Sequence, residues 1–357
     1  MAFRFDDDQR ELAAGVGRLL AARATGDYAR AVASGDSSWR DLWSQLVELG
    51  VIAMAVPADA GGLELGPLEL TAVSEVAGRF LVPGPLVATA GEFVPAVMRA
   101  SGAAAECIAD IAEHGHAATL CLVDPSTTAA SVSVTGSRIT VEQLPIADAG
   151  RAEYLGFAIR GEGDTGIIAV LPAAEAEVQP TRSFDEARPL SLVTARDAMA
   201  SVSRVGDLDH TLAVSFTTAA AELVGMCARM IDLSVEHARE REQFGMKIGA
   251  FQAVKHRLVD ALLMLERARS LTYRAAVLAD APGETVSDRE LSAAAHLAKG
   301  AASQAATEVA RAAVQVHGGV GITVEHDISL YYLRARQASL LLGDRDYHYA
   351  AAARSSS

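Results

Sequence analysis

The spacing of apolar residues changes twice along this chain, and those changes limit the folds that it can adopt. Up to about residue 115, apolar residues recur at helical spacing, as Leu12, Val16 and Leu19 do after an acidic start. Between about 117 and 207 they fall in short runs separated by Gly, Pro or Asp, such as 154–159. From about 208 the helical spacing returns. This order predicts helices, then a β domain, then helices again.

The last of these regions contains segments that are longer than a usual globular helix. Helices are predicted over roughly 210–242, 250–280, 287–316 and 325–342. Pro282-Gly283 and the capping sequence Ser287 to Glu290 favour a new helix there. Four such helices are typical of a bundle. The predicted fold class is therefore α+β multidomain, with an N-terminal α-helical domain over 1–116, a middle antiparallel β-sandwich or barrel domain over 117–207, and a C-terminal four-helix bundle over 208–357.

Composition and charge exclude several classes of protein. With 357 residues, half of them hydrophobic, the chain has enough apolar surface for a large core. Its 31 Lys and Arg against 45 Asp and Glu give a net charge of −14, which argues against nucleic acid as a partner. Cys107, Cys121 and Cys227 are far apart in the sequence, odd in number and set among apolar neighbours, which argues against a disulfide framework or a thiolate metal site. No apolar run approaches the length of a membrane span and the start lacks a secretory pattern, so the expected location is cytoplasmic.

Two segments of the bundle region carry residues that suit a dinucleotide. They contain, in order, Arg241, Phe244 and Gln252, then Gln315, Gly318 and Gly319. An arginine fork just past a long helix can grip a diphosphate with paired hydrogen bonds. The phenylalanine can lie against a flat ring, a glutamine can donate or accept at a polar rim, and paired glycines let backbone amides approach a ligand closely. Each residue alone also fits a structural role, so the hypothesis depends on the combination.

These segments resemble the Arg-x-x-Phe-Gly-x-x-Ile-x-x-x-Gln and Gln-x-x-Gly-Gly-x-Gly motifs of the acyl-CoA dehydrogenase family of flavoproteins. Weaker resemblances occur at Trp43, at Val56-Pro57, at Pro83-Gly84-Pro85 and at Asp185-x-x-Arg188-Pro189. The resemblance covers nearly the whole chain. It implies FAD as the cofactor, an acyl-CoA thioester as the substrate and an electron-transfer flavoprotein as the electron acceptor. It also implies an oligomer, in which both segments reach the adenosine diphosphate half of FAD held mainly by a partner subunit.

The sequence departs from this family at the catalytic base, the glutamate that removes the proton α to the thioester. Counting from Arg334, the family's C-terminal glutamate position is occupied by Gly343, and the alternative position in the first bundle helix by Ser215. Three nearby carboxylates are weak candidates for the base: Asp344, Asp346 and Glu222. We expect that this chain does not supply the base.

The β domain departs from the family as well. The family's flavin-contacting loop, of the type Thr-Glu-Pro-Gly-x-Gly-Ser-Asp, is replaced by Val123-Asp124-Pro125-Ser126, and the tryptophan that often covers the flavin is missing. The preferred hypothesis is a degenerate subunit whose own flavin pocket has decayed and which works in a heteromeric α2β2 enzyme. Such pairs are known in actinobacteria for bulky thioesters such as steroid side chains. Two alternatives stay open: a self-sufficient homo-oligomeric dehydrogenase with a displaced base, and a non-catalytic helical binding protein.

Overall fold

The structure, a computed structural model, describes residues 3–102, 106–124, 132–281 and 286–355. Its N-terminal part is helical, with α1 (Asp7–Arg23), α2 (Gly26–Ser34), α3 (Arg40–Glu48), α4 (Pro67–Gly78), a π-helix (Val87–Phe93), α5 (Val94–Ala100) and α6 (Glu106–His114). The α1 helix begins where expected because the Asp6 carboxylate accepts a hydrogen bond from the backbone N–H of Gln9 at 2.8 Å. Its inner face buries Val16 and Leu20. The predicted helical start of the chain is confirmed.

The middle part is a sandwich of two four-stranded sheets. Its strands are β1 (Ala118–Val123), β2 (Val132–Thr135), β3 (Arg138–Ala147), β4 (Tyr154–Arg160), β5 (Gly166–Pro172), β6 (Glu177–Pro180), β7 (Leu190–Met199) and β8 (Ser201–Val205). One sheet has the order β1-β4-β5-β8 and the other β2-β3-β7-β6. Residues such as Ile139, Phe157 and Val193 fill the space between the sheets. The predicted β-sandwich is confirmed, whereas β6, β7 and β8 were not predicted as strands.

One strand pair differs from the antiparallel prediction. Strands β1 and β4 run parallel, with Ala118 opposite Tyr154, while the other strand pairs described in the sandwich are antiparallel. The reason is the connection between them, because β2 and β3 leave for the second sheet and the chain returns in its original direction. Short runs of alternating residues do not reveal which sheet each strand joins.

The C-terminal part is a bundle of long helices. It consists of α7 (Leu208–Thr211), α8 (Ala213–Glu240), a hairpin of β9 (Glu242–Gln243) and β10 (Met246–Lys247), α9 (Gln252–Asp280), α10 (Asp288–His317), α11 (Asp327–Ala338) and α12 (Arg345–Ser355). Ser287 caps α10 by accepting the N–H of Glu290 at 3.2 Å, as its sequence predicted. The predicted four-helix bundle is confirmed. The α12 helix was not predicted, and Pro282-Gly283 lies outside the described residues.

The α8 helix corrects the expectation that no segment has the length and apolarity of a membrane span. Among the described residues it passes that test by length and composition alone, with a mean hydropathy of 1.2. However, 94% of the 18-residue window of α8 that passes this test is buried inside the protein. The helix is apolar because the other elements of the chain cover it on nearly all sides.

A continuous apolar core joins the three parts of the chain. The same cluster of buried side chains contains Leu46 of α3, Phe93 of the π-helix, Leu120 of β1 and Phe216 of α8. The clefts between the sandwich and the bundle are therefore held by shared packing rather than by a flexible linker. The division into domains at 116/117 and 207/208 stays a prediction.

Candidate cofactor-contact surface and active-site cleft

A short hairpin follows α8 and carries the first predicted segment. Arg241 caps the C-terminus of α8, and its carbonyl accepts the N–H of Ile248 at 2.8 Å across the base of the hairpin. Phe244 and Gly245 form the turn with positive φ angles of 52° and 78°. The Phe244 side chain is 90% exposed. An aromatic ring held in solvent on a hairpin tip is typical of a surface that another molecule covers.

Arg241 itself is exposed and available to a ligand. Within the part of the chain that the structure describes, its guanidinium has neither an ion-pair partner nor a hydrogen-bond partner. Gln252 is also exposed and is the first residue of α9. An unpaired arginine fork of this kind suits the oxygens of a diphosphate.

The second predicted segment ends α10. Gln315, Gly318 and Gly319 are exposed there. A Cβ atom added to either glycine would meet nothing within 4 Å, so the space beside this backbone is open. Gly318 has a φ of 64°, which favours glycine, but Gly319 has no such angle and no close neighbour that requires glycine.

Stacked histidines bring the two segments to the same end of the bundle. The ring of His237 near the end of α8 stacks on that of His317 at the end of α10, with 4.4 Å between the ring centroids, and the ring of His326 lies 4.8 Å from that of His317 at a tilt of 59°. Burial lowers the pKa of His317 to about 4, so the stack has a neutral centre at neutral pH. Arg241 and Gly318 thus belong to one exposed surface, which we call the contact surface, made of residues 241–252 and 315–319. Its donors and open backbone fit the diphosphate of FAD approaching from outside this chain.

The cleft between the sandwich and the bundle has a different character. It holds a cavity of about 590 Å³ and a smaller one of about 290 Å³, which share Asp124, Asp344 and Tyr347. The charged residues that line the larger cavity are Asp124, Asp164, Asp207, Asp209, Asp344 and Asp346 against Arg160, Arg289 and Arg354. Arg160 is already paired with Asp124 at 2.9 Å and with Asp209. A diphosphate would meet net negative charge here, so the residues of this cleft do not fit FAD.

The position where the resemblance expects a glutamate is part of a tight turn between α11 and α12. Leu342 and Gly343 both have positive φ angles, 55° and 99°. A Cβ atom on Gly343 would come within 2.5 Å of the Tyr347 ring. The Lys299 amine donates a hydrogen bond to the Gly343 carbonyl at 3.2 Å and helps to fix the turn. The local conformation therefore requires glycine rather than a carboxylate side chain.

Two hydrogen-bonded histidines, His348 and His296, support the same turn. His348 donates from Nε2 to the Leu342 carbonyl at 3.0 Å, and its Nδ1 lies 2.8 Å from Nδ1 of His296. Burial holds the pKa of His348 well below its usual value, so its Nδ1 accepts and His296 donates. The Nε2 of His296 lies 3.2 Å from the Asp209 carboxylate. Among the described residues this Nε2 atom has no hydrogen-bond partner, so the hydrogen-bonded chain ends at His296.

The other expected base position, Ser215, is fully buried where α8 crosses the π-helix. Its hydroxyl donates to the backbone carbonyl of Glu92 at 2.6 Å. The residue ties two elements together, and no carboxylate stands at either position where the resemblance places one.

The three weak candidates for the base have other contacts. Asp344 caps α12 by accepting the N–H of Tyr347 at 2.8 Å, although it also lines both cavities. Asp346 pairs with Arg345 at 2.9 Å and its side chain is 76% exposed. Glu222 is buried in an ion pair of 2.9 Å with Arg188. Their roles as candidates stay predictions.

The sequence singled out neither Glu92 nor Lys299, and Arg188 stood out only as part of a weak resemblance, although all three side chains are buried beside the cleft. Arg188 pairs with Asp148 at 3.0 Å as well as with Glu222. Burial raises the pKa of Glu92 to about 8 and lowers that of Lys299 to about 8. The available signal was a charged residue inside an apolar run, since Glu92 stands in the apolar stretch 86–98 and Lys299 among alanines.

The order of helices, a two-sheet sandwich and a bundle of long helices defines the general architecture of the chain. Sequence profiles assign it more closely: that of the acyl-CoA dehydrogenase N-terminal domain matches residues 6–106, and that of the C-terminal domain matches residues 208–356. The chain belongs to the acyl-CoA dehydrogenase family, whose cofactor is FAD.

Its relatives include dehydrogenases of Mycobacterium tuberculosis. IpdE2 is 30% identical over 338 residues, which cover 94% of this chain and 93% of IpdE2. FadE34 is 33% identical over 322 residues, which cover 86% of this chain but 40% of FadE34, so the chain spans less than half of that relative. Among solved structures, the ChsE4-ChsE5 complex from M. tuberculosis matches with a TM-score of 0.83 at 22% identity, over 99% of this chain and 98% of that one. That likeness confirms the fold.

Proposed function

We propose that this chain is one subunit of a heteromeric acyl-CoA dehydrogenase, in which a homologous subunit binds FAD and the acyl-CoA thioester and this chain contributes the contact surface. The observation that carries the proposal is the contrast between two places in one chain. The contact surface has an unpaired arginine and open glycines, whereas the cleft has net negative charge and no carboxylate at Gly343 or Ser215. A structural neighbour that is itself a complex of two named subunits supports the same arrangement.

The residues of the contact surface would each have a defined role. Arg241 donates two hydrogen bonds to diphosphate oxygens, and the backbone at Gly318 and Gly319 approaches the same group closely. Phe244 packs against the flat ring system, while Gln252 and Gln315 complete the polar rim. FAD held there supplies a hydride acceptor for α,β-desaturation of an acyl-CoA, such as a fatty acid or steroid side-chain thioester in the cytoplasm. The base belongs to the partner subunit, and an electron-transfer flavoprotein takes the electrons.

The test is co-production of this chain with a homologous dehydrogenase subunit encoded beside it, followed by the flavin absorbance of the purified complex. We expect a colourless chain alone and a yellow heterotetramer. Arg241→Ala removes both of its hydrogen bonds to the diphosphate and should lower the affinity for FAD at least tenfold, without changing the melting temperature. Arg10→Ala, which removes an exposed arginine of α1, is the matched control.

Gly319→Ala provides a second readout of the contact surface. A methyl group there meets nothing in this chain, so the fold should be unchanged while FAD content falls. Gly206→Ala is the control, because Gly206 also has open space around it and lies far along the chain from the contact surface. Unchanged FAD content in both Arg241→Ala and Gly319→Ala would refute the proposal.

The two alternative functions give different results in the same experiment. A self-sufficient homo-oligomer would be yellow alone and would lose turnover on Asp344→Asn, Asp346→Asn or Glu222→Gln with FAD retained. A non-catalytic binding protein would stay colourless with every homologous partner.

A further inference from the structure

The smaller cavity of the cleft, next to Gly343, is lined by two polar side chains that have hydrogen-bonding capacity left over after their contacts with the described residues. Its walls are mainly apolar and include Ala88, Leu120, Leu144, Ile146, Leu340 and Leu342. Arg188 and Glu92 also line it, although each is more than nine-tenths buried, with 4% and 6% of its surface exposed. An apolar pocket with a few converging polar groups is the usual form of a small-molecule site.

Both polar groups retain unused hydrogen-bonding capacity. Arg188 donates from Nε to Asp148 and from Nη1 to Glu222, and its Nη2 has no partner among the described residues. The Glu92 carboxyl likewise makes no hydrogen bond within the described ranges, and only its backbone carbonyl is bonded, by Ser215. Neither free group is sealed from solvent, so water or a ligand in the cavity can reach both of them. A bound oxygen atom would satisfy both.

The charges around Glu92 determine whether a neutral or a negatively charged ligand oxygen fits this cavity. The groups that face it are Glu222 and Asp148, which are negative, and Arg188 and Lys299, which are positive, so they balance. Burial raises the pKa of Glu92 to about 8, so at pH 7 its carboxyl is protonated and can donate. The cavity therefore offers two donors in a neutral setting. A carboxylate ligand would add an uncompensated charge, and the mouth shared with the larger cavity has Asp124 and Asp344 to repel it.

We propose that this cavity binds a small, uncharged apolar molecule through a carbonyl oxygen that accepts hydrogen bonds from Arg188 and Glu92. A carbonyl has two lone pairs, one for each donor, and a volume of about 290 Å³ corresponds to roughly ten non-hydrogen atoms. The ligand contacts the Gly343 turn. This site is separate from the contact surface and does not depend on the proposed function.

The experiment is isothermal titration calorimetry of the full chain at pH 7 with three bicyclic probes of the same shape. The probes are 2-decalone, decalin and decalin-2-carboxylate. We expect the ketone to bind at least tenfold more tightly than the hydrocarbon or the carboxylate. Raising the pH to 9.5 should weaken ketone binding, because ionised Glu92 no longer donates and its charge faces the carbonyl oxygen.

Two variants of Glu92 separate its hydrogen bond from its packing. Glu92→Gln keeps a neutral donor and should retain ketone binding, now without the loss at pH 9.5. Glu92→Leu removes the donor at similar volume and should weaken ketone binding about tenfold while leaving decalin binding unchanged or improved. Cys121→Phe fills the cavity from β1 and should abolish binding of both probes, with circular dichroism confirming the fold.

Several results would overturn the proposal. These are the absence of ketone binding, equal affinity for decalin and 2-decalone, tighter binding of the carboxylate, and an unchanged Glu92→Leu variant. Displacement of 2-decalone by FAD added to the chain alone would also overturn it, and would at the same time identify the cleft as a flavin site. A chain that fails to bind 2-decalone but still supports FAD binding in the complex would contradict only this proposal. The reverse result would contradict only the proposed function.

Discussion

Gly343 shows how one residue can exclude a catalytic group through its backbone. Its φ of 99° disfavours any side chain, and the Tyr347 ring occupies the space that a Cβ atom needs. We expect Gly343→Ala to lower the free energy of unfolding by about 2 kcal/mol more than Gly136→Ala does. Gly136 is the control because it has a positive φ of 63° but open space around it.

Urea denaturation of both variants measures this difference. Equal losses of unfolding free energy in the two variants would show that the Tyr347 ring moves aside without a cost in stability. For the same steric reason, Gly343→Glu should not make the isolated chain an active dehydrogenase. An acyl-CoA assay with an artificial electron acceptor checks that outcome.

Glu92 makes stability depend on pH in a direction that can be worked out. Its pKa is about 8 in the folded chain, against a usual value of 4.5, so the folded state holds a proton that the unfolded state loses between these values. Stability contributed by this group is therefore present below pH 4.5 and is lost as the pH rises to about 8. We expect Glu92→Gln to be more stable than the natural chain at pH 8 by on the order of 3 kcal/mol, and by much less at pH 5.

Urea titrations at the two pH values test this prediction, with Glu186→Gln at an exposed position as the control. A gain that is the same at pH 5 and pH 8 would mean that Glu92 is ionised in the folded chain. Lys299 acts with the opposite sign, because its lowered pKa adds stability only as the pH rises above about 8.

At the scale of elements, Arg188 joins the sandwich to the bundle. It connects Asp148, in the loop after β3, with Glu222 of α8, and all three side chains are buried. Removing the cation leaves two buried carboxylates without their partner. We expect Arg188→Met to cost about 3–5 kcal/mol of unfolding free energy.

The double variant Arg188→Met with Glu222→Gln serves as its control. It should recover part of the loss, since one of the unpaired charges is gone. Chemical denaturation of the two single variants and the double variant measures the coupling. Additive losses would show that Arg188 and Glu222 do not depend on each other.

Helices with strong local signals were predictable, and those without were not. Asp6 before α1 and Ser287 before α10 are N-cap residues, and such residues indicate the start of a helix from the sequence alone. The α12 helix has no apolar stripe and depends on contacts with α10, so its sequence gave little indication of it. No local sequence pattern predicts the π-helix either, because its geometry follows from packing against α8.

At the scale of the whole molecule, the first half of α9 has an apolar face that the described part of the chain leaves uncovered. Val259, Leu262 and Leu263 are 52%, 44% and 64% exposed. We expect this face to pack against another subunit, because exposed apolar patches of this kind mark protein interfaces. Leu263→Glu should reduce assembly of the proposed heteromeric complex at least tenfold without unfolding the chain.

Light scattering of the purified complex measures the assembly. Leu49→Glu is the matched control, since Leu49 is 50% exposed and lies in the N-terminal helical part. A Leu263→Glu chain that assembles as well as this control would exclude α9 from the interface. A monodisperse monomer in the presence of FAD and every homologous partner would exclude oligomerisation altogether.

The sequence by itself determined the order of helical and β regions, and it predicted the two segments that make up the contact surface. Both are local properties: periodicity is read within a window of residues, and Arg241 to Gln252 and Gln315 to Gly319 are two continuous segments. These two segments lie at the ends of two long helices. The predicted bundle packs these helices side by side, and that packing brings the two segments to one end of the bundle.

Only the tertiary structure decided the character of the cleft. Glu92, Arg188 and Lys299 come from a π-helix, a loop and α10, which are far apart in the chain and meet only when the sandwich packs on the bundle. Their protonation states follow from burial, a property that no local pattern contains. The same holds for Gly343, whose need for glycine comes from its φ angle and from the Tyr347 ring beside it. Packing, rather than the identity of the residues, turned the expected site of the base into a closed turn beside a neutral cavity.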